Sequence, residues 1–141
     1  MAKHKKSERQ RAKQRAWEAF SRYIRTRDCI ATTGSPEYGR CITCGQVYPF
    51  GKLDAGHFIP GRSDAVLFEE HNCHAQGIRC NRFAQGAFVE YEMALRELYG
   101  EEEVERLKQL KFKTVKYSLQ DFIAIKKKYT ALTSVLRESC E

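Results

Sequence analysis

The chain has 141 residues, of which 30% are charged and 42% are hydrophobic, and its formal net charge is +7. This length accommodates one compact domain with a helical appendage, and the composition is typical of a globular protein rather than a disordered one. The longest aliphatic and aromatic run, residues 122–125, is far shorter than the roughly 20 residues of a membrane span. No apolar stretch follows the basic N-terminus, so we expect a cytoplasmic protein without a membrane partner.

The positive charge is concentrated at the N-terminus. Residues 1–27 hold ten Lys and Arg against two Glu, whereas residues 28–141 hold 15 Lys and Arg against 16 Asp and Glu. A basic segment on a nearly neutral remainder favours binding to a polyanion such as DNA, although a solubilising tail has the same composition. The side chains predicted to contact DNA are Lys3, Lys5, Lys6, Arg9, Arg11, Lys13, Arg15, Arg22, Arg79 and Arg82.

The N-terminal half of the chain predicts one helix and two strands. Apolar residues recur at three- and four-residue spacing from about residue 8 to residue 28, which predicts an amphipathic helix with Trp17 and Phe20 in the core. Turn-forming residues from 31 to 40 predict a loop. Two short strands, at residues 46–48 and 53–59, are predicted to be joined by a turn, and a second loop follows.

The C-terminal half predicts helices. The helical pattern after Asn81 stops at Gly100, a residue suited to a helix end. Three glutamates at 101–103 open a short helix, where they face the positive end of its dipole. Ser118 and Asp121 form a capping box before a final helix. We therefore divide the chain into a basic arm and helix (1–28), a core (29–100) and a C-terminal helical extension (101–141).

Four of the six cysteines indicate a metal site. A chain that is not exported stays in a reducing compartment, where disulfides are disfavoured. Residues 41–45, Cys-Ile-Thr-Cys-Gly, form a zinc knuckle, since a redox pair of this spacing would open a helix after a strand. With Cys41, Cys44, Cys73 and Cys80 as ligands, we predict a structural Zn²⁺, which contributes roughly 10–16 kcal/mol to folding. Cys29 and Cys140 are predicted to be free thiols.

A histidine and two asparagines are interleaved with these cysteines. His57 lies on a predicted strand, Asn72 follows fifteen residues later, and Asn81 stands at a predicted helix start. A single histidine is more often structural than catalytic, but this arrangement resembles the HNH nucleases, whose fold is called ββα-metal. The resemblance implies that His57 is the general base and that Asn72 fixes its loop. It also implies that Asn81 binds a catalytic Mg²⁺ or Mn²⁺.

The chain is further similar to the NinG (Rap) family of lambdoid-phage recombination endonucleases. The family pattern is present as Cys41, Cys44, Gly45, Asp54, Ala55, Gly56, His57, Asn72, His74, Gln76, Cys80, Asn81 and Gly86. The resemblance implies an α+β fold, with a zinc-stabilised, treble-clef-like ββα-metal core between N- and C-terminal helices. It also implies cleavage of branched DNA, such as Holliday junctions and D-loops, with phage recombination proteins as further partners.

Two departures from the family pattern affect the metal sites. Gly77 stands where the family has its third zinc cysteine, so we expect Cys73 to replace it, with His74 and His71 as alternative ligands. Gly56 stands where many HNH enzymes have a carboxylate next to the base. We expect Asp54, on the same side of the strand, to be the second ligand of the catalytic cation, with His74 as the competing candidate.

Two other functions are compatible with parts of the sequence. A noncatalytic zinc-finger module would use the cysteines and the basic arm for DNA binding but would require neither His57 nor Asn81. A protein-interaction domain would use the acidic residues 101–105 and the last helix. A homodimer would suit a four-way junction, although no sustained heptad pattern requires one.

Overall fold

A long helix dominates the N-terminal part of the computed structural model, which describes residues 4–141. This helix, α1 (Glu8–Thr33), begins with a capping box in which the Ser7 hydroxyl accepts from the Gln10 backbone N–H and the Gln10 side chain accepts from the Ser7 N–H. It ends at Gly34, which has a φ of 80°. The helix passes its predicted end and crosses the predicted boundary between residues 28 and 29.

Two small antiparallel sheets follow α1. Strand β1 (Tyr38–Arg40) pairs with β2 (Val47–Pro49), and β3 (Leu53–His57) pairs with β4 (Cys73–Gly77). The two predicted strands and the turn that joins them are present as β2, a 3-10 turn (Phe50–Lys52) and β3, but β2 and β3 belong to different sheets and do not pair with each other. The sequence analysis does not predict β4, in which polar His74 and Gln76 alternate with smaller residues but all five residues are buried.

Helices occupy the rest of the chain. They are α2 (Asp64–Leu67), α3 (Phe88–Tyr99), α4 (Glu101–Lys108) and α5 (Leu119–Glu138). The stop at Gly100 and the capping box at Ser118 and Asp121 are confirmed. The helix predicted to start near residue 81 begins only at Phe88, because a π-helical turn (Arg79–Phe83) and a left-handed backbone at Gln85, Gly86 and Ala87 precede it.

The β3–β4 sheet lies between two groups of helices. On one face, Ala55 and Cys73 pack against Phe20 and Ile24 of α1 and Tyr129 of α5. On the other face, the Tyr91 hydroxyl of α3 donates to the backbone oxygen of Gly56 over 2.7 Å. The chain is thus α+β, as predicted, and α1 and α5 support the strand that carries His57. Within the described residues, no helix combines the length and apolarity that crossing a membrane requires.

Candidate metal centre and active site

Three thiols converge beside the two sheets. Cys41 and Cys44 lie in the turn between β1 and β2, Cys80 lies in the π-helical turn, and their Sγ atoms are all within 4.8 Å of one another. Gly45, with a φ of 77°, lets the turn close behind the two cysteines. Thiolates are ligands that Zn²⁺ prefers, so the three residues could hold this metal.

The surroundings of Cys41 favour the thiolate. Burial opposes its ionisation, but hydrogen bonds with the Thr43 hydroxyl and with backbone N–H groups lower its pKa to about 7. Two of these groups are the N–H of Cys44, 3.5 Å from Sγ, and the N–H of Gly77, 3.1 Å from Sγ. A thiol that ionises near neutral pH loses its proton readily to a metal.

Cys73 does not belong to this cluster, contrary to the prediction. It is the first residue of β4, whereas Gly77, which contacts Cys41, is the last. A strand rises about 3.3 Å per residue, so Cys73, four residues before Gly77, lies roughly 13 Å from the end of β4 that borders the thiol cluster. Its side chain is fully buried, and burial raises the pKa of its thiol. Cys29 and Cys140 also lie outside the cluster, as predicted.

The alternative zinc ligands His71 and His74 are also engaged elsewhere. The Nδ1 atom of His71 lies 3.1 Å from a carboxylate oxygen of Glu103, and its ring stacks on Tyr99. His74 has Nε2 at 2.7 Å from the Tyr99 hydroxyl and Nδ1 at 3.4 Å from the Tyr91 hydroxyl. Burial lowers the pKa of His74 to about 4. Because both of its ring nitrogens have partners, His74 is not a free ligand for the catalytic cation either, contrary to the prediction.

His57 is held in one orientation at the end of β3. Its Nε2 atom lies 3.1 Å from the backbone oxygen of Leu67, and its ring stacks on Trp17 with 5.0 Å between centroids. A carbonyl oxygen can only accept, so Nε2 carries the hydrogen and Nδ1 keeps its lone pair. Burial lowers the pKa of His57, opposed by the bond to Leu67, so the ring is neutral at pH 7.

Asn72 fixes the loop that carries the partner of His57. Its Oδ1 accepts from the Ile59 N–H over 2.8 Å, and its Nδ2 donates to the backbone oxygens of Ile59 and Val66 over 3.1 and 3.3 Å. The side chain is completely buried. Since Val66 precedes Leu67, these bonds also position the carbonyl that orients His57. That Asn72 positions His57 for catalysis stays a prediction.

Asp54 orients Asn81 and is neutralised by Arg82. The Arg82 side chain donates to both carboxylate oxygens over 2.8 and 2.9 Å, and Asn81 Nδ2 donates to Oδ2 over 2.9 Å. Burial opposes ionisation of Asp54, but these hydrogen bonds hold its pKa below the usual value. Contrary to the prediction, the carboxylate is directed at these partners rather than at a cation site.

Two amide oxygens face Gly56, and one of them comes from a residue that the sequence analysis did not select. A Cβ on Gly56 would overlap Oε1 of Gln76 and lie 3.1 Å from Oδ1 of Asn81. Gln76 Nε2 donates to the Gly86 backbone oxygen over 2.8 Å, which directs Oε1 toward Gly56. This Oε1 is buried and has no hydrogen-bond partner among residues 4–141. The only sign of Gln76 in the sequence is its place in the family pattern.

An orphaned amide oxygen beside a second one fits a divalent cation. Mg²⁺ and Mn²⁺ prefer oxygen ligands, and a buried unpaired carbonyl oxygen costs free energy unless it finds a partner. Gly56 is the residue that leaves room for these two oxygens, since any larger side chain would overlap Oε1 of Gln76. Gln76 and Asn81 could therefore hold the cation that the sequence assigns to Asn81 and Asp54.

A cavity of 330 Å³ opens beside His57 and Asn81, and it is lined further by Phe58, Pro60, Gly61, Arg62, Gln85, Gly86 and Phe88. Arg62 is exposed and was not selected from the sequence. Its guanidinium lies 5.8 Å from the centroid of the Trp17 ring, which stacks on His57. A cationic side chain beside a neutral imidazole and an amide oxygen makes the cavity suitable for a phosphate group.

The predicted DNA-binding side chains fall into two groups. Arg9 and Lys13 pair with the buried carboxylate of Asp64 over 3.0 and 2.7 Å, so their charge stabilises the fold, contrary to the prediction, and Arg82 pairs with Asp54. Lys3 lies outside the described residues. The remaining side chains are exposed, as a phosphate contact requires, and they are Lys5, Lys6, Arg11, Arg15, Arg22 and Arg79.

Comparisons with known proteins identify relatives among bacteriophages. A family model described as Bacteriophage Lambda NinG protein matches residues 1–139. The proteins called ninG of Escherichia phage 933W and Salmonella phage P22 are each 29% identical over 125 residues, and that of Escherichia phage lambda is 28% identical. These matches cover 88% of this chain but only 56–57% of the relatives, so the chain spans little more than half their length. No solved structure gives a significant match.

Proposed function

The chain belongs to the bacteriophage lambda NinG family, and from that premise we propose that it is a metal-dependent endonuclease of the HNH type that cuts branched DNA. The substrates are recombination intermediates such as Holliday junctions and D-loops in the host cytoplasm. In this proposal β3, β4 and the turn that carries Asn81 correspond to the ββα-metal unit. Phage recombination proteins as partners and a homodimer stay predictions of the sequence.

The orientation of His57 is the observation that carries the proposal. Its Nε2–H donates to the Leu67 carbonyl, so Nδ1 keeps its lone pair. The ring is neutral, and it lines a cavity that is also lined by Asn81 and Arg62. A structural histidine needs no free lone pair, whereas a general base must have one. Asn72, which fixes the loop of Leu67, adds to the preorganisation of this base.

The residues around the cavity support phosphodiester hydrolysis. Nδ1 of His57 takes a proton from a water molecule. The oxygen of this water forms a bond to phosphorus while the bond from phosphorus to the leaving sugar oxygen breaks. Arg62 binds a non-bridging phosphate oxygen. Gln76 and Asn81 would hold Mg²⁺ or Mn²⁺ through their amide oxygens, and the bound cation would supply positive charge that stabilises the phosphate in the transition state.

Phosphate contacts outside the cavity give affinity without base recognition. Exposed Arg15 and Arg22 lie along α1, and Arg79 begins the turn that carries Asn81. Such contacts position a duplex but do not read its sequence, which suits an enzyme that recognises the shape of a junction. Affinity should then fall steeply as the salt concentration rises.

Cleavage of synthetic DNA tests the proposal. We expect the full chain to cut a four-way junction and a D-loop in preference to linear duplex when Mg²⁺ or Mn²⁺ is present. His57→Ala should abolish cleavage while junction affinity and the melting temperature stay close to wild type. His71→Ala, which changes a half-exposed histidine bound to Glu103, is the matched control and should still cut.

Two results would contradict the proposal. Tight binding to junctions without cleavage by the wild type under either metal would identify a noncatalytic zinc-binding DNA module. Cleavage by His57→Ala at the wild-type rate would show that another group is the base. A large fall in the melting temperature of His57→Ala would instead assign His57 a structural role.

A further inference from the structure

The thiol cluster of Cys41, Cys44 and Cys80 has a tyrosine at its open side. Structural zinc is almost always bound by four ligands, and these three residues supply three. Tyr48, on β2, has its hydroxyl 3.7 Å from Sγ of Cys44. The fourth position is thus next to a side chain that can supply an oxygen donor.

A side chain at residue 77 would point at the ring of Tyr48. A Cβ on Gly77 would lie 3.1 Å from Cε2 and 3.4 Å from Cζ of Tyr48. The Gly77 N–H points at Sγ of Cys41, so residue 77 borders the cluster directly. The ring therefore reaches the cluster through the space that the missing side chain of Gly77 leaves open.

The distance between the Tyr48 hydroxyl oxygen and Cys44 Sγ is close to the distance between two ligands of the same zinc ion. With Zn–S near 2.3 Å and Zn–O near 2.0 Å, two ligands of a tetrahedral site stand roughly 3.5 Å apart. The 3.7 Å between the Tyr48 hydroxyl and Cys44 Sγ is close to this value.

The Thr43 hydroxyl is the rival oxygen donor in this part of the structure. It lies 3.3 Å from Sγ of Cys41. However, it already accepts a hydrogen bond from Nε2 of Gln76 over 3.2 Å, and an aliphatic hydroxyl keeps its proton at neutral pH. The Tyr48 hydroxyl has Cys44 Sγ as its one hydrogen-bond contact within residues 4–141, which favours Tyr48 as the oxygen ligand.

We propose that Tyr48 is the fourth ligand of a zinc ion held by Cys41, Cys44 and Cys80, so that the site has three sulfur donors and one phenolate oxygen. Binding of the ion releases the protons of the three thiols and of the phenol. The site joins the β1–β2 hairpin to the turn in which Cys80 precedes Asn81. Tyr48 thereby helps to fix Asn81, and this role is independent of whether the protein cleaves DNA.

Titration of the chelator-stripped full chain with Zn²⁺ tests the proposal directly. We expect the near-ultraviolet difference spectrum to show one tyrosinate per bound zinc at neutral pH. Tyr48→Phe should abolish this band and lower zinc affinity at least about tenfold, the loss that even an outer-shell partner causes. Tyr38→Phe is the matched control on the neighbouring strand, where the side chain is half exposed, and it should keep both band and affinity.

A second variant tests the geometry by a different readout. Gly77→Cys combined with Tyr48→Ala should bind Co²⁺ with a stronger thiolate charge-transfer band than wild type, because a fourth sulfur enters the space that Tyr48 vacates. Binding of Co²⁺ with a charge-transfer band no stronger than that of wild type would show that the fourth position lies elsewhere.

Four other outcomes would overturn the proposal. Zinc binding without a tyrosinate band would assign the fourth position to water, as would unchanged affinity in Tyr48→Phe. Loss of affinity in Thr43→Val but not in Tyr48→Phe would assign it to the threonine. A wild-type chain that binds no zinc would remove the site altogether.

Discussion

Asp54 accepts a hydrogen bond of 2.9 Å from Nδ2 of Asn81, and this bond turns Oδ1 of Asn81 toward Gly56. The carboxylate therefore acts on the site through the asparagine. Removing it frees the amide to rotate, so Asp54→Leu should lower the cleavage rate about 10- to 100-fold, as loss of an outer-shell partner does. Cleavage kinetics and Mn²⁺ affinity check this expectation. Glu37→Leu, at an exposed position before β1, is the control, and equal rates in the two variants would contradict the role of Asp54.

Gly56→Ala should weaken binding of Mn²⁺ more than it weakens the fold. The new methyl group would overlap Oε1 of Gln76 and approach Oδ1 of Asn81, so the two oxygens would move apart. Mn²⁺ affinity, measured by calorimetry or by electron paramagnetic resonance of the free ion, should fall at least about tenfold. Gly51→Ala is the matched control, because nothing lies within 4 Å of its added Cβ. Equal Mn²⁺ affinity in both variants would exclude the two amides as the ligands.

Cleavage should depend on pH through the neutral form of His57. Burial lowers the pKa of this histidine below the ordinary value of about 6.5, so the base is already neutral at pH 7. The cleavage rate should rise with pH below that ordinary value and be constant from there to about pH 8. A pH–rate profile under single-turnover conditions measures this. A rate that still rises through pH 7 to 8 would contradict a neutral His57 as the base.

Cys41→Ser should release zinc and destabilise the protein. A structural zinc site contributes roughly 10–16 kcal/mol in small domains, so losing one of its thiolates should lower the free energy of unfolding by several kcal/mol. Metal content and thermal unfolding with and without a chelator check this. Cys140→Ser, at an exposed terminal position, should behave as wild type. An unchanged melting temperature in Cys41→Ser would contradict a structural role for the metal.

Asp64→Ala should detach the first turns of α1 from the rest of the fold. The buried carboxylate pairs with Arg9 and Lys13 and accepts from the Tyr117 N–H, and removing it leaves two cations without a partner. The expected loss is about 3 kcal/mol of unfolding free energy. Hydrogen bonds and ion pairs hold the pKa of Asp64 below its usual value despite burial, so its contribution is present at neutral pH and is lost on acidification through that lowered pKa. Denaturant melts at pH 7 and pH 3 test both points, and an equal effect of the substitution at the two pH values would contradict the ion pairing.

Features that depend only on neighbouring residues could be predicted from the sequence. The zinc knuckle at residues 41–45, the capping box at Ser118 and the stop at Gly100 each need only a few consecutive positions, so their residue types are sufficient to predict them. The resemblance of residues 41–86 to the family pattern points to His57, Asn72 and Asn81 as the candidate site.

Contacts between residues that are distant along the chain depend on how the sheets and helices pack. The pairing of β3 with β4 places Gln76 opposite Asp54 and sends Cys73 to the far end of the strand from the thiol cluster. No local pattern marks this register, because β4 is buried on both faces and so has no exposed face that would distinguish one register from the next. For the same reason Tyr48 and Gly77, far apart along the chain, emerged as neighbours only once the two sheets were packed together.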